Sequence, residues 1–192
     1  MKFILASQSI RRKKILDKIN LNFKIYSSNL DEKKIINNYS KPSLFCKKLA
    51  IIKSELVSKK FPKDYVIGAD TIVVHNKIIL NKPTDKKEAI NHLKLLSNSK
   101  HTVYTAVSLI NISKNINISF IESTQVYFNM LKSKEINYYV NKFKPYDKAG
   151  SYAIQEYSNI FIRKINGCFY NVVGFPLSKF YKLIDSELNL IK

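Results

Sequence analysis

Apolar runs of strand length alternate with stretches of helical periodicity along most of this chain, and that alternation points to an α/β architecture. Strands are expected over residues 2–6, 22–27, 65–75, 77–80, 101–112, 116–129, 160–165 and 168–173. Helices are expected over 10–19, 42–59, 86–96, 134–143 and 177–190. Several boundaries have physical causes. Pro42 suits a first helical turn, Thr84-Asp85 supplies a cap before the helix at 86, and Asn166-Gly167 signals a two-residue hairpin. The long strands flanking 113–115 read as another hairpin. Hairpins combined with crossover helices predict a mixed sheet. With no repeat, linker or clear boundary in 192 residues, the chain is expected to form one domain over 1–192, or two closely packed lobes.

The formal net charge of +19 invites a nucleic-acid reading, because a basic surface binds phosphate backbones without sequence preference. The lysines, however, are spread along the whole chain and form no arm or stripe. Abundant lysine, isoleucine and asparagine with scarce glycine and arginine instead suggest a genome-wide preference for adenine-rich codons. No dedicated nucleic-acid partner is expected. No apolar run approaches the roughly 20 residues that cross a bilayer, and the opening Met1-Lys2-Phe3-Ile4-Leu5-Ala6 is too short for a signal-peptide core. The expectation is a cytoplasmic protein with no membrane partner. Cys46 and Cys168 form no closely spaced ligand or redox pair and read as small apolar filler.

Chemistry gathers in a few segments. Of 33 basic residues only three are arginines, and two of them, Arg11 and Arg12, stand together after Ser7 and Ser9 at an expected strand-to-helix turn. A guanidinium grips phosphate oxygens in pairs, Ser9 is placed to cap the helix, and helix-end amides attract anions. The alternative is a surface helix whose first turn carries solvated cations. Tyr65 to Val74 is an apolar strand interrupted by Gly68-Ala69-Asp70-Thr71. An acid in mid-strand costs free energy unless it is hydrogen-bonded, paired with a cation or open to a cleft. Asp70 is therefore a bulge or edge residue, or part of a site; the small residues before it favour a site. Leu80-Asn81-Lys82-Pro83 puts a lysine before a direction-fixing proline, and the segment from Asp147 to Gln155 is rich in groups able to bind a polar ligand.

Taken together, these segments resemble the Maf family of nucleoside triphosphate pyrophosphatases. The resemblance rests on Leu5-Ala6-Ser7-Gln8-Ser9-Ile10-Arg11-Arg12, Gly68-Ala69-Asp70-Thr71, Lys82-Pro83, Asp147-Lys148-Ala149-Gly150-Ser151-Tyr152-Ala153-Ile154-Gln155 and Val173-Gly174-Phe175-Pro176-Leu177, in the family's order. It spans nearly the whole chain. It implies an elongated mixed β-sheet with flanking helices, two lobes around a central cleft, and a homodimer. The chain departs from the family pattern at Ile10, where proline is usual, and at Glu156-Tyr157-Ser158-Asn159, where glycines are common.

The implied reaction is hydrolysis between the α and β phosphorus atoms, releasing a nucleoside monophosphate and pyrophosphate. Asp70 matches the family's proton acceptor, and nearby lysines with a divalent cation are expected to hold its pKa down. Glu32 aligns with a family acidic residue and is expected to share Mg²⁺ or Mn²⁺ with Asp70 and the phosphates. Ser7, Ser9, Arg11, Arg12, Lys53 and Lys82 would bind the phosphates. Arg12, Thr71 and Gln155 resemble the specificity residues of members acting on dTTP and UTP, since an amide pairs with both a carbonyl and the N3 hydrogen of thymine or uracil. The alternatives are a pyrophosphatase of 7-methyl-GTP or of modified nucleotides in general, and a basic nucleic-acid-binding or division-regulating protein.

Overall fold

A computed structural model describes residues 2–35, 39 and 41–188. The chain divides into two compact units: Met1–Asp70, Thr105–Glu122 and Gly174–Lys192 form the first, Thr71–Tyr104 and Ser123–Val173 the second. The three long strands β3 (Tyr65–His75), β5 (Lys100–Asn111) and β6 (Ile116–Phe128) each give residues to both units.

In the first unit, β1 (Phe3–Leu5) is hydrogen-bonded in parallel to β2 (Phe23–Ile25) on one side and to β3 on the other. All of β1 is buried, as expected of an inner parallel strand covered on both faces. The strand order continues from β3 to β5 and β6. Helix α1 (Ile10–Leu16) starts where Ser9 Oγ accepts from Arg12 N at 3.4 Å. It passes at Asp17 into a 3₁₀ turn, so the α-helical part is shorter than the expected 10–19.

Helix α2 (Pro42–Ser58) opens on its proline behind the extended Lys41. Its contact with β3 is close at one point: a Cβ added to Gly68 would overlap the Ala50 carbonyl oxygen and lie 2.8 Å from Ser54 N. Glycine is required there by the helix backbone next to it, not by its own dihedral angles. Ser54 Oγ donates to Ser108 Oγ of β5 at 2.8 Å and fixes the helix further along the sheet. Helix α6 (Leu177–Leu188) buries Leu177, Phe180 and Ile184. The expected residues 189–190 of this helix lie outside the described residues.

The second unit holds β4 (Ile78–Leu80), antiparallel to β3, and β7 (Ile162–Asn166), antiparallel to β6. The sheet is thus mixed, as predicted. Helix α3 (Lys86–Leu96), capped by Asp85, and helix α4 (Ser133–Phe143) supply Leu93, Leu96, Ile136 and Tyr139 to a core shared with Val73, Phe128, Tyr152 and Phe161. The expected strand over 168–173 is instead the short helix α5 (Phe169–Val173), and no hairpin forms at Asn166-Gly167. The cause is tertiary. Cys168 N donates to Thr124 Oγ1 at 3.0 Å, and the buried Asn171 amide donates to Val103 O at 3.0 Å and Thr124 Oγ1 at 2.9 Å. These bonds draw the chain against β6 straight after Gly167.

The Gly68 contact predicts that Gly68→Ala destabilises the protein by about 2–3 kcal/mol, the upper end for overpacking because backbone atoms must move. Urea unfolding at neutral pH checks this, and a loss below about 0.5 kcal/mol would mean that α2 is not seated as described.

Candidate active site

Residues from four separate segments converge in the first unit. Lys53 lies on the face of α2 turned to the core, two turns after Cys46, and is only 7% exposed. Its Nζ is 2.6 Å from Asp70 Oδ1 and 2.6 Å from Glu32 Oε1. Asp70 sits in the buried stretch of β3 and is 4% exposed. Glu32 opens a 3₁₀ turn, Glu32–Lys34, and its side chain is 42% exposed. One ammonium therefore bridges a buried and a solvent-facing carboxylate. Cys46, expected as filler, also donates its Sγ–H to the Asp70 carbonyl oxygen at 3.4 Å. Burial pushes this thiol's pKa up, so it stays a protonated donor.

The arginine turn stands beside this group. Arg12 Nε donates to Gly174 O at 3.0 Å and its Nη1 to Ser7 Oγ at 3.0 Å. Ser7 Oγ also accepts from Ser9 N at 3.3 Å. The two serine hydroxyls thus aim the guanidinium and cap the helix. Arg12 is half-buried; its charge acts on Asp70 and Glu32, and that of Arg11 acts on Arg12 in turn. Burial lowers the Arg12 pKa, but a guanidinium remains charged at neutral pH. Ile10, which departs from the family pattern, is 69% exposed, and the helix starts at it.

Burial raises the Asp70 pKa above its ordinary 3.8; the Lys53 charge is the largest opposing influence, Glu32 adds to the rise, and Arg12 opposes it. Lys53 acts in the expected direction, and the expectation also named a divalent cation, which is no part of this balance. Removing a carboxylate from water outweighs the single ammonium beside it.

Glu32 and Asp70 converge on one cation position, held here by Lys53 Nζ. No group of three or more His, Cys, Asp or Glu residues able to hold a metal occurs among the described residues. Two carboxylates nevertheless fit magnesium, which commonly takes one or two and completes its shell with phosphate oxygens and water.

The remaining candidates lie in the second unit. Thr71 follows Asp70 in β3 and is half-buried. Lys82 is exposed, two residues beyond β4, with the buried Pro83 behind it. Gln155 is exposed near the end of the 147–156 segment, which Lys148 Nζ ties together through Asp147 Oδ1 at 2.7 Å and Glu156 Oε2 at 3.4 Å. Sequence reasoning missed Cys46 and the Gly174 carbonyl. The seven-residue spacing from Cys46 to Lys53 does put both on one helix face; a backbone oxygen leaves no mark in residue type.

A family model described as Maf-like protein matches residues 2–187. The chain is 43% identical over 194 aligned positions to the dTTP/UTP pyrophosphatase of Clostridium novyi (strain NT), covering 99% of this chain and 100% of that protein. It is 42% identical over 180 positions to the dTTP/UTP pyrophosphatase of Clostridium beijerinckii, covering 93% and 95%. Among solved structures, a HAM1 protein from Coxiella burnetii aligns with a TM-score of 0.47 at 13% identity, over 67% of this chain and 73% of that one.

The raised Asp70 pKa has a consequence for stability. The folded state holds this proton more tightly than the unfolded chain, so the contribution of Asp70 is most favourable below about 3.8 and is lost as pH rises through the folded value. In metal-free buffer, Asp70→Asn should therefore melt close to wild type near pH 4 and increasingly above it towards pH 7. An offset independent of pH would show that burial does not govern this group.

Proposed function

The chain belongs to the Maf family, and from that premise we propose that it is a nucleoside triphosphate pyrophosphatase acting on dTTP and UTP. The reaction breaks the bridge between the α and β phosphorus atoms and yields the nucleoside monophosphate and pyrophosphate. What supports the reading most is the buried Asp70 carboxylate, 2.6 Å from the Lys53 ammonium and within the field of Arg12.

Asp70 is the general base. It takes a proton from the attacking water as the new P–O bond forms, and the electrons of the broken anhydride bond leave with pyrophosphate. A base works best when its pKa lies near the working pH, and burial moves Asp70 in that direction while Lys53 keeps the ionised form accessible. Arg11, Arg12 and Lys53 counter the triphosphate charge, and the family resemblance assigns Lys82 the same role. Ser7 and Gly174 hold the Arg12 fork in a fixed direction before substrate arrives. Glu32 and Asp70 would hold a divalent cation, Mg²⁺ or Mn²⁺, which when bound supplies further charge neutralisation on the phosphate oxygens.

For base selection, the Gln155 amide offers one donor and one acceptor to the carbonyl and N3–H edge of thymine or uracil, and the family resemblance assigns Thr71 and Arg12 to specificity as well. Cytosine presents N3 as an acceptor and an amino group, and fits this pattern less well. A homodimer belongs to the same proposal and rests on the family resemblance. No helix among the described residues is long and apolar enough to cross a membrane.

The test is a panel of dTTP, UTP, CTP, ATP, GTP and 7-methyl-GTP with a divalent cation and identification of the released product. Pyrophosphate from dTTP and UTP is expected, reduced by about 10²–10⁴-fold in Asp70→Asn. Equal turnover of all six would defeat the pyrimidine assignment, preference for 7-methyl-GTP would replace it, and release of orthophosphate would defeat the bond assignment.

A further inference from the structure

All three of the chain's histidines are buried, and two of them, His92 and His101, make their shortest polar contact to the same short segment. His92 Nδ1 of α3 shares a hydrogen bond of 2.9 Å with Ser151 Oγ, and His101 Nε2 of β5 shares one of 2.7 Å with Tyr152 Oη. Ser151 and its neighbour Gly150 both adopt left-handed backbone, φ 64° and 65°. Serine is disfavoured there, so the surrounding contacts must hold it. We propose that His92 and His101 are positioning residues which lock the 147–156 segment in place and so set the base preference of the site through Gln155. This rests on the pyrophosphatase reading given above.

The imidazoles carry the argument because a cheaper residue would serve for packing alone. His101 lies edge-on to Phe128, with ring centroids 5.0 Å apart, and edge-on to Tyr152 at 5.3 Å; a phenylalanine would fill the same space. As histidine it leaves Nδ1 buried with no hydrogen-bond partner, a standing cost that an apolar ring avoids. Burial also pushes its pKa down to about 3, so it is neutral at working pH and adds no charge. The feature gained in return is the bond to Tyr152.

His92 extends the hold to a second loop. Its Nε2 faces Glu88 Oε1 at 3.7 Å, and Glu88 Oε2 accepts from Thr84 N at 2.7 Å and Thr84 Oγ1 at 2.8 Å. Gly150 N donates to Asn81 O at 3.3 Å. The stretch 81–84 that carries Lys82 and the segment that carries Gln155 are thus joined within the second unit. Ser158 Oγ secures the next residue, accepting from Ala153 N at 3.0 Å and donating to Ala153 O at 2.9 Å. An amide reads a base edge best when its backbone is fixed before binding, and the histidine bonds add to those of Lys148 and Ser158 in holding the stretch that leads to the exposed Gln155.

The test compares His101→Phe, Tyr152→Phe and His92→Leu with wild type by amide hydrogen exchange over residues 147–156 and by steady-state kinetics with dTTP and CTP. Tyr152→Phe removes a single oxygen and serves if the histidine variants fold poorly. The expected result is exchange at least about tenfold faster in the segment, KM for dTTP raised about 5- to 20-fold with kcat within about threefold, and a dTTP-over-CTP preference reduced to the same extent. The His101→Phe/Tyr152→Phe double variant should be no worse than either single one. Unchanged exchange, or faster exchange with KM and base preference intact, overturns the proposal. A wild type that releases no pyrophosphate from any nucleotide defeats the pyrophosphatase reading first, and is distinguished by its silence before any substitution is made.

Discussion

The close approach of α2 to β3 at Gly68 is the constraint on which the site depends. Without a side chain at that position the helix backbone reaches the strand, and the next turn carries Lys53 over Asp70. Cys46, Ala50 and Lys53 share the inward face of the helix, so a single docking event positions a thiol donor, a packing contact and the ammonium together. A Cβ at residue 68 would push all three away from the acid.

That docking also determines the electrostatics. A carboxylate enclosed this fully is expensive to ionise, and one ammonium shared with Glu32 offsets only part of the cost. Such a group destabilises the fold at neutral pH while serving as a proton acceptor. The surrounding arrangement keeps it ready: the Arg12 fork is aimed by Ser7 and by the Gly174 carbonyl before any anion arrives, so little reorganisation remains for the reaction itself.

Much of this was readable in the residues, and for physical reasons. Asp70 stood out because an acid in an apolar strand must have a partner, and the cap at Ser9 and the proline at the start of α2 followed from simple backbone rules. Lys53 and Glu32 came from family resemblance, since neither a lysine in an amphipathic helix nor an acid in a loop is unusual alone. The contribution of burial to the Asp70 pKa was not legible, because nearby cations are visible in a sequence whereas the depth of burial is not. The hairpin expected at Asn166-Gly167 failed because Thr124 and Asn171, 47 positions apart, capture the chain first. The histidine contacts were invisible for the same reason: His101 and Tyr152 are 51 positions apart, and only the fold makes them neighbours.

The central claim is that Asp70 accepts the proton from water in a site where burial raises its pKa and Lys53 opposes the rise. The most direct measurement is the pH dependence of kcat/KM for dTTP in wild type and in Lys53→Met. Removing the ammonium takes away the largest influence favouring the ionised acid, so the acid limb of the profile should move to higher pH. A limb that stays in place, with only the plateau lowered, would contradict the account and leave Lys53 as a phosphate ligand with no part in tuning the base.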